Sequence, residues 1–410
     1  MSLSEVVGRA RAGAALFGPA FVASIAYVDP GNVATNVTAG ATYGYLLVWV
    51  VVVANLMACL VQFLSAKLGV VTGQSLPEAL RDRMPPWGRL VYWGQAELIA
   101  MATDLAEVLG GAIALNILFD LPLLLGGLIT GLVSTGLLAV QNRRGQRPFE
   151  RVITGLLAVI AIGFFAGLFV SPPKLTDTLG GLWPAFDGSQ SVLLAAGMLG
   201  ATVMPHAVYL HSALARDRHG RPDGTHPRAL LTATRYDVGA AMLLAGAVNL
   251  AMLLLAATAL QGQDIDGSLQ GAHQAVSANL GGTIGLLFAL ALLASGLAST
   301  SVGCYAGAVI MEGLLRRRIP LLLRRTITLI PALVVLAAGV DPTQALIISQ
   351  VVLSFGIPFA LIPLLRLTSQ RTVMGDATNH RATIATSCVV VTAVVALNLV
   401  LLYLTVIGID

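Results

Sequence analysis

The sequence predicts an all-α polytopic membrane protein of eleven transmembrane helices, arranged as a five-plus-five inverted repeat in which helices one and six are broken. Three observations carry that expectation. Of 410 residues, 56% are hydrophobic and 11% charged, with a mean hydropathy of +0.83, far too apolar for a soluble protein. Apolar runs of roughly 20 residues, the length that crosses about 30 Å of hydrocarbon as helix, recur eleven times. Polar, helix-terminating tetrads, Asp29-Pro30-Gly31-Asn32 and Val203-Met204-Pro205-His206, interrupt the first and sixth of them. The ten-residue alternation that marks a membrane β-barrel is missing.

In order, the spans are 14–40, 45–68, 90–118, 121–140, 152–170, 190–214, 234–260, 279–313, 324–340, 344–366 and 383–408. Basic residues punctuate them on one side only. Arg9 and Arg11 precede span one; Lys67 to Arg89, Arg143 to Arg151, Arg216 to Arg235, Arg316 to Arg325 and Arg366 to Arg381 occupy alternate connections, and only Lys174 of the 24 lies opposite. The positive-inside rule then puts the N-terminus in the cytoplasm and, after eleven spans, Asp410 outside. The pI near 9.1 reports this topology, and no nucleic acid is expected as a partner because the loops are too short for a basic recognition module. The connections 171–189 and 261–277 are polar or Gly-rich and external, and 215–233 is cytoplasmic with solvated charges. The first fifteen residues hold no apolar stretch with a cleavage site, so span one is expected to be retained. Cys59, Cys304 and Cys388 lie in apolar spans without a C-x-x-C and read as core residues.

No linker or composition shift divides the chain, so residues 1–410 form one membrane domain, with repeats at about 14–170 and 190–366 and an extra span at 383–408. Pro30 and Pro205 stand 175 residues apart and five spans separate the broken helices, an odd offset that inverts the second half.

The breaks carry the chemistry. Proline inside a helix costs about 3 kcal/mol, and an Asp near the bilayer centre about 2.5–3.5 kcal/mol, so a lipid-facing span would keep neither. Pro30 deprives the Ala26 carbonyl of its helical partner and Pro205 does the same to Ala201. With the side chains of Asp29, Asn32 and Met204 this gives a shell of four oxygens and one thioether sulfur, suited to a transition-metal dication. The sulfur is a soft, neutral ligand that adds little for Ca²⁺ or Mg²⁺ while Mn²⁺, Fe²⁺, Co²⁺ and Cd²⁺ accept it, so Met204 is expected to act as a filter.

In span three, Asp104 and Glu107 share a helical face, with Glu97 two turns nearer the cytoplasm. A buried acidic stripe faces water or a basic partner, and Arg324 and Arg325 at the start of span nine are candidate counter-charges. His211 lies about 140° around the helix from His206, which puts it either on the pathway or in a packing role. Asp237 and Asn249 in span seven are expected as gate or helix-packing groups.

Ala26-Tyr27-Val28-Asp29-Pro30-Gly31-Asn32 together with Ala201-Thr202-Val203-Met204-Pro205-His206 resembles the Nramp family of proton-coupled divalent metal transporters. Met101-Ala102-Thr103-Asp104-Leu105-Ala106-Glu107 and Ser349-Gln350-Val351-Val352-Leu353-Ser354-Phe355-Gly356 are similar to further motifs of that family. The resemblance implies a LeuT-type fold, with Asp29, Asn32, Met204 and the carbonyls of Ala26 and Ala201 as ligands and Gln350 joining in some conformations. It also implies a proton network of Asp104, Glu107, Glu97, Arg324 and Arg325, with His206 between it and the metal. A histidine, which in water titrates near neutrality, suits a relay. Pro30, Gly31 and Pro205 would act as hinges.

The expected activity is secondary import of Mn²⁺, Fe²⁺ or a similar dication with protons, in the cell membrane, with no prosthetic group. Oligomeric state stays open, a monomer being compatible with all of this. A sodium-coupled amino-acid carrier on the same fold is one alternative, and a hard-cation (Mg²⁺) member of the metal family another, which the retained Met204 disfavours. A metal sensor would need a soluble signalling domain. No phosphate loop, zinc-protease motif or nucleophile elbow supports an enzyme.

Overall fold

A computed structural model describes residues 18–144, 146–219, 227–263 and 267–407. Arg9 and Arg11, Arg221, and the ends of spans one and eleven fall outside the described residues. The described residues fold into helices joined by short connections. α1 (Pro19–Ser24) continues as a 3-10 turn (Ile25–Val28) to Asp29, whose extended backbone (φ −71°, ψ 170°) stops it. α2 (Pro30–Tyr43) restarts at once, with Asp29 as its N-cap and Pro30 in the first turn, where a missing N–H does no harm. The first interruption is therefore one residue wide. Pro30, Gly31 and Asn32, expected to belong to it, are already helical because capping and proline placement together favour an immediate restart.

α3 (Val48–Thr72), α4 (Leu76–Arg81), α5 (Pro86–Phe119), α6 (Leu123–Arg144), α7 (Gln146–Val170) and α8 (Leu175–Gly180) follow. α9 (Gly188–Thr202) stops at Val203 (φ −102°, ψ 67°) and α10 (Pro205–His219) restarts after Met204. The chain then forms α11 (Pro227–Ala259), α12 (Leu269–Leu280), α13 (Gly282–Leu315), α14 (Leu321–Ala337), α15 (Pro342–Thr368), α16 (Arg371–Met374) and α17 (Arg381–Ile407).

Among the described residues, eight helical stretches are long and apolar enough to cross a membrane: α3, α5, α7, α9 with α10, α11, α13, α15 and α17. Pro19–Val28 and Leu123–Ala139 are shorter apolar helices. Three connections expected as loops contain helix: within 215–233, α10 runs on to His219 and α11 starts at Pro227. α8 lies within 171–189, and α12 extends past 277 to Leu280, so the span expected to start at 279 begins at Gly282.

Small residues set the packing. α5 and α13 meet backbone to backbone: a Cβ at Gly296 would lie 2.8 Å from the Gly111 nitrogen. α2 packs along α11 and α10 along α3, and Cβ atoms at Gly40 and Gly69 would strike the Leu253 and Ser212 carbonyls respectively. Of the cysteines expected in the core, Cys304 is buried, Cys59 half-buried and Cys388 exposed, since α17 packs against the rest along one side only.

Candidate metal centre

Both breaks are buried, and one side chain ties them together. The Asp29 carboxylate caps α2: its Oδ1 accepts the Asn32 backbone N–H (2.7 Å) and the Asn32 side-chain Nδ2 (2.8 Å). The same Asn32 Nδ2 donates to the Ala201 carbonyl across the gap (2.9 Å). Two acceptors around it identify that atom as the amide nitrogen. The Ala201 carbonyl, expected to be unpartnered, is thus taken up, because the break in α1–α2 delivers an amide donor to it. Ala26 lies in the 3-10 turn three residues before Asp29 and is buried.

Several buried oxygens here lack a proper partner. Asp29 Oδ2 and Gln350 Oε1 have no hydrogen bond among the described residues. Asn32 Oδ1 meets the Thr202 hydroxyl at only 3.5 Å, while that hydroxyl donates to the Met198 carbonyl at 2.7 Å. An unmet buried acceptor costs about 1–3 kcal/mol, so a group of them beside a buried thioether is the composition of a cation site. Met204 is fully buried at the second break. Gln350 lies over Gly31 and against Gly200: a Cβ at Gly31 would collide with its amide, and one at Gly200 with its carbonyl. Gly31, expected as a hinge, is therefore a steric requirement of this close approach. Among the described residues no three His, Cys, Asp or Glu side chains gather to hold a metal. The site owes its character to one carboxylate with amide, carbonyl and thioether groups.

The remaining carbonyls at the first break are occupied. Asn249 Nδ2 donates to Tyr27 O (2.6 Å) while its Oδ1 accepts from Asn36 Nδ2 (2.9 Å), and Ser295 Oγ donates to Val28 O (2.6 Å). Asn249 is a helix-packing group, as one of its two expected roles had it. Asp237 accepts the N–H groups of Gly18 (3.2 Å) and Ala20 (3.1 Å) and so caps α1. Ser295 escaped sequence reasoning, although a serine inside the apolar run of α13 is the signal that could have found it.

Beside the breaks runs a ladder of charge. Arg325 pairs with Asp104, and Arg324 Nη2 with Glu97 Oε1 (2.7 Å). Both expected counter-charges are therefore in place. Glu107, fully buried, lies in the electrostatic field of Asp104, Asp29 and Arg325, and thus bridges the first break and the ladder. Its two oxygens have no hydrogen bond among the described residues, and the Ser299 hydroxyl facing it donates to Ser295 O (2.6 Å). Room for these groups comes from α13. A Cβ at Gly303 would sit 2.8 Å from Glu107 Oε2, and one at Gly307 would collide with the Arg324 guanidinium. These glycines, four apart on one helical face, were not singled out from the sequence.

The two histidines part company. His206 Nδ1 lies 3.3 Å from Thr103 Oγ1, whose single proton goes to Ile99 O (3.0 Å). The ring nitrogen is then the donor, and the unpartnered Nε2 keeps its lone pair. His211 Nδ1 faces Gln62 Oε1 (2.6 Å), and Gln62 in turn donates to Tyr27 OH. His206 therefore faces the acid-bearing α5, and His211 faces α3.

The far end of α10 is anchored outside the apolar layer. Arg216 pairs with Glu78, which also accepts the Ser75 N–H (2.8 Å) in a capping box. Burial raises the Glu78 pKa, but the Ser75 and Arg216 donors outweigh it and hold the carboxyl below its usual range.

A family model described as Nramp, natural resistance-associated macrophage protein-like, matches residues 20–404. The divalent metal cation transporter MntH of Mycobacterium tuberculosis is 64% identical over 394 residues, covering 96% of this chain and 92% of the relative. A crystal structure of the Eremococcus coleocola manganese transporter, in complex with an aromatic bis-isothiourea compound, superposes with a TM-score of 0.85 at 34% identity, covering 94% of this chain and 85% of that one. The nucleobase-cation-symport-1 transporter Mhp1 shares the fold alone, with a TM-score of 0.61 at 17% identity, covering 94% and 91%.

Proposed function

The chain belongs to the Nramp family, and on that premise we propose that it is a secondary transporter importing divalent transition-metal ions, Mn²⁺ and Fe²⁺ with Cd²⁺ and Co²⁺ also accepted, together with protons. It is a membrane transporter and not an enzyme. The observation that carries the reading is the group of under-bonded oxygens, Asp29 Oδ2, Gln350 Oε1 and Asn32 Oδ1, at a break that a hydrogen bond from Asn32 to Ala201 ties to the Met204 break.

An arriving dication takes Asp29 as its one anionic ligand. The Asn32 amide swings off Asp29 and Ala201 and presents Oδ1, which frees the Ala201 carbonyl for the metal. Met204 sulfur, the Ala26 carbonyl and Gln350 complete the shell. Neutral donors outnumber charges, so the ion is held weakly enough to leave again. The soft sulfur disfavours Ca²⁺ and Mg²⁺.

Four carboxyls, Asp29, Glu107, Asp104 and Glu97, stand against two guanidiniums, Arg324 and Arg325. The buried excess of two negative charges needs protons or a dication. A proton displaced from Asp29 by metal passes to Glu107 and on along Asp104 and Glu97, with His206 Nε2 as a neighbouring acceptor; metal and proton then move the same way. Alternating access follows from rocking of α1–α2 and α9–α10 about Gly31, Pro30 and Pro205.

The distribution of basic residues supports eleven spans, with the N-terminus cytoplasmic and the C-terminus outside. Repeats at 14–170 and 190–366 are supported by packing: α2 on α11 and α10 on α3 are equivalent contacts when the halves exchange. An inside-negative potential drives import by about 2.3 kcal/mol per charge per 100 mV, twice that for a dication.

Proteoliposomes with an internal pH dye and an imposed inside-negative potential test this. Mn²⁺ uptake accompanied by internal acidification is the expected result. Folded parent protein that moves no metal would end the proposal.

A further inference from the structure

A cavity of about 740 Å³ opens between the end of α3, the start of α11 and the turn joining α16 to α17. It shares no residue with the metal centre. Lys67, 8% exposed on α3, donates from Nζ to Asn379 Oδ1 (2.8 Å). Asn379 is itself fixed, its backbone N–H and Nδ2 both bonded to Thr368 (3.1 and 2.8 Å). Arg235, exposed on α11, lies over the Phe63 ring at 5.4 Å, and His380 stands in the same lining.

Both cations line the cavity. Lys67 lies in the field of Arg235, and neither has a carboxylate within ion-pair distance among the described residues. The acid in the lining, Asp376, is exposed and lies 3.9 Å from Arg371. Burying an ammonium beside a second cation, with one neutral acceptor, is unfavourable unless an anion offsets it. Lysine has two more N–H donors to give and arginine five, set around a volume in the range of about 300–1,000 Å³ typical of ligand pockets.

We propose that this cavity binds a phosphate-bearing anion, the headgroup of an anionic phospholipid. The phosphate sits between Lys67 and Arg235, and the apolar wall at Phe63 accommodates the first carbons of the acyl chains. The site is at the charged end of two apolar helices, where basic pockets between spans meet anionic headgroups. The inference uses only the membrane placement of α3 and α11, not the metal chemistry.

The test is thermal unfolding of the full chain in a zwitterionic detergent, titrated with dioctanoyl phosphatidylglycerol, dioctanoyl phosphatidylcholine or inorganic phosphate. Parent, Lys67→Gln and Arg235→Gln are compared, with Mn²⁺ binding measured separately on each. Saturable stabilisation by the phosphatidylglycerol alone, weakened about tenfold in Arg235→Gln while Mn²⁺ binding is unchanged, is the expected result. Equal stabilisation by inorganic phosphate at the same concentration would uphold the anion site and assign it a soluble ligand. Indifference to lipid charge, or Arg235→Gln responding as the parent does, would overturn the proposal.

Discussion

The two helix breaks solve the same problem in opposite ways. At the first, the chain interrupts its helical path for one residue, and that residue carries a carboxylate whose Oδ1 caps the new helix while Oδ2 is left over. At the second, Val203 and Met204 separate the helices, and no side chain of that segment is charged. The first break brings charge and the second brings polarisability and a backbone carbonyl. Asn32 binds both, donating to Asp29 and to Ala201. The lesson is that two breaks can match in geometry while diverging in chemistry, and the proposed ion site draws on both contributions. The difference extends outward, since the charged break adjoins the acidic ladder through Glu107 and the uncharged one continues into α10, anchored at its far end by Arg216 and Glu78.

The comparison can be broken most forcefully on its charged side. Arg325→Gln leaves Asp104 buried without its partner, and thermal unfolding should show a loss of about 3–5 kcal/mol, with Asp104→Asn/Arg325→Gln closer to the parent. A double variant no better than the single would mean that the pair acts through packing alone. Next, Asp29→Asn removes the one anionic ligand of the proposed site, and Mn²⁺ flux should fall by about a hundredfold with the fold intact, because affinity for a dication tracks ligand charge. On the uncharged side, Met204→Ala should weaken Cd²⁺ flux about tenfold and leave it open to Ca²⁺ competition. A Met204→Ala carrier still indifferent to Ca²⁺ would strip the second break of its assigned role.

The smallest effect lies at the anchor of α10. Glu78 is held below its ordinary pKa, so it binds fewer protons folded than unfolded, and its contribution is present above about pH 4.3 and lost as pH falls through the lower folded value. Glu78→Gln should therefore lower stability by about 0.3–1 kcal/mol at pH 7, and the gap to the parent should close on acidification below pH ~4. A gap that widens with acid would refute the assignment.

Much of this was legible in the sequence, for physical reasons that particular residues make clear. Pro30 and Pro205 offer no N–H to the carbonyls before them, and Asp29 and Arg325 are costly against lipid, so breaks and ladder follow local or energetic preferences. Pro331, Pro358 and Pro363, which lie inside continuous helices, show that proline alone does not impose a break. The single-residue width of the first break was not legible, because it depends on the Asp29 cap and the first-turn proline acting together to restart the helix at once. Nor was the capture of Ala201 O by Asn32, of Tyr27 O by Asn249 or of Val28 O by Ser295, since each joins positions more than 160 residues apart. Gly303 and Gly307 were invisible for the same reason. A glycine in an apolar helix gains meaning only when a carboxylate or guanidinium from another helix is found where its side chain would be.

The central claim is that the two breaks hold one ion between them, and calorimetric titration of Cd²⁺ into the parent, Asp29→Asn, Met204→Ala and the double variant tests it most directly. The account predicts one ion per chain, the same binding event weakened in either single variant, and a double variant that loses less than the sum of the two. One single variant retaining full-affinity binding of one ion, or two independent events each abolished by a different variant, would contradict it.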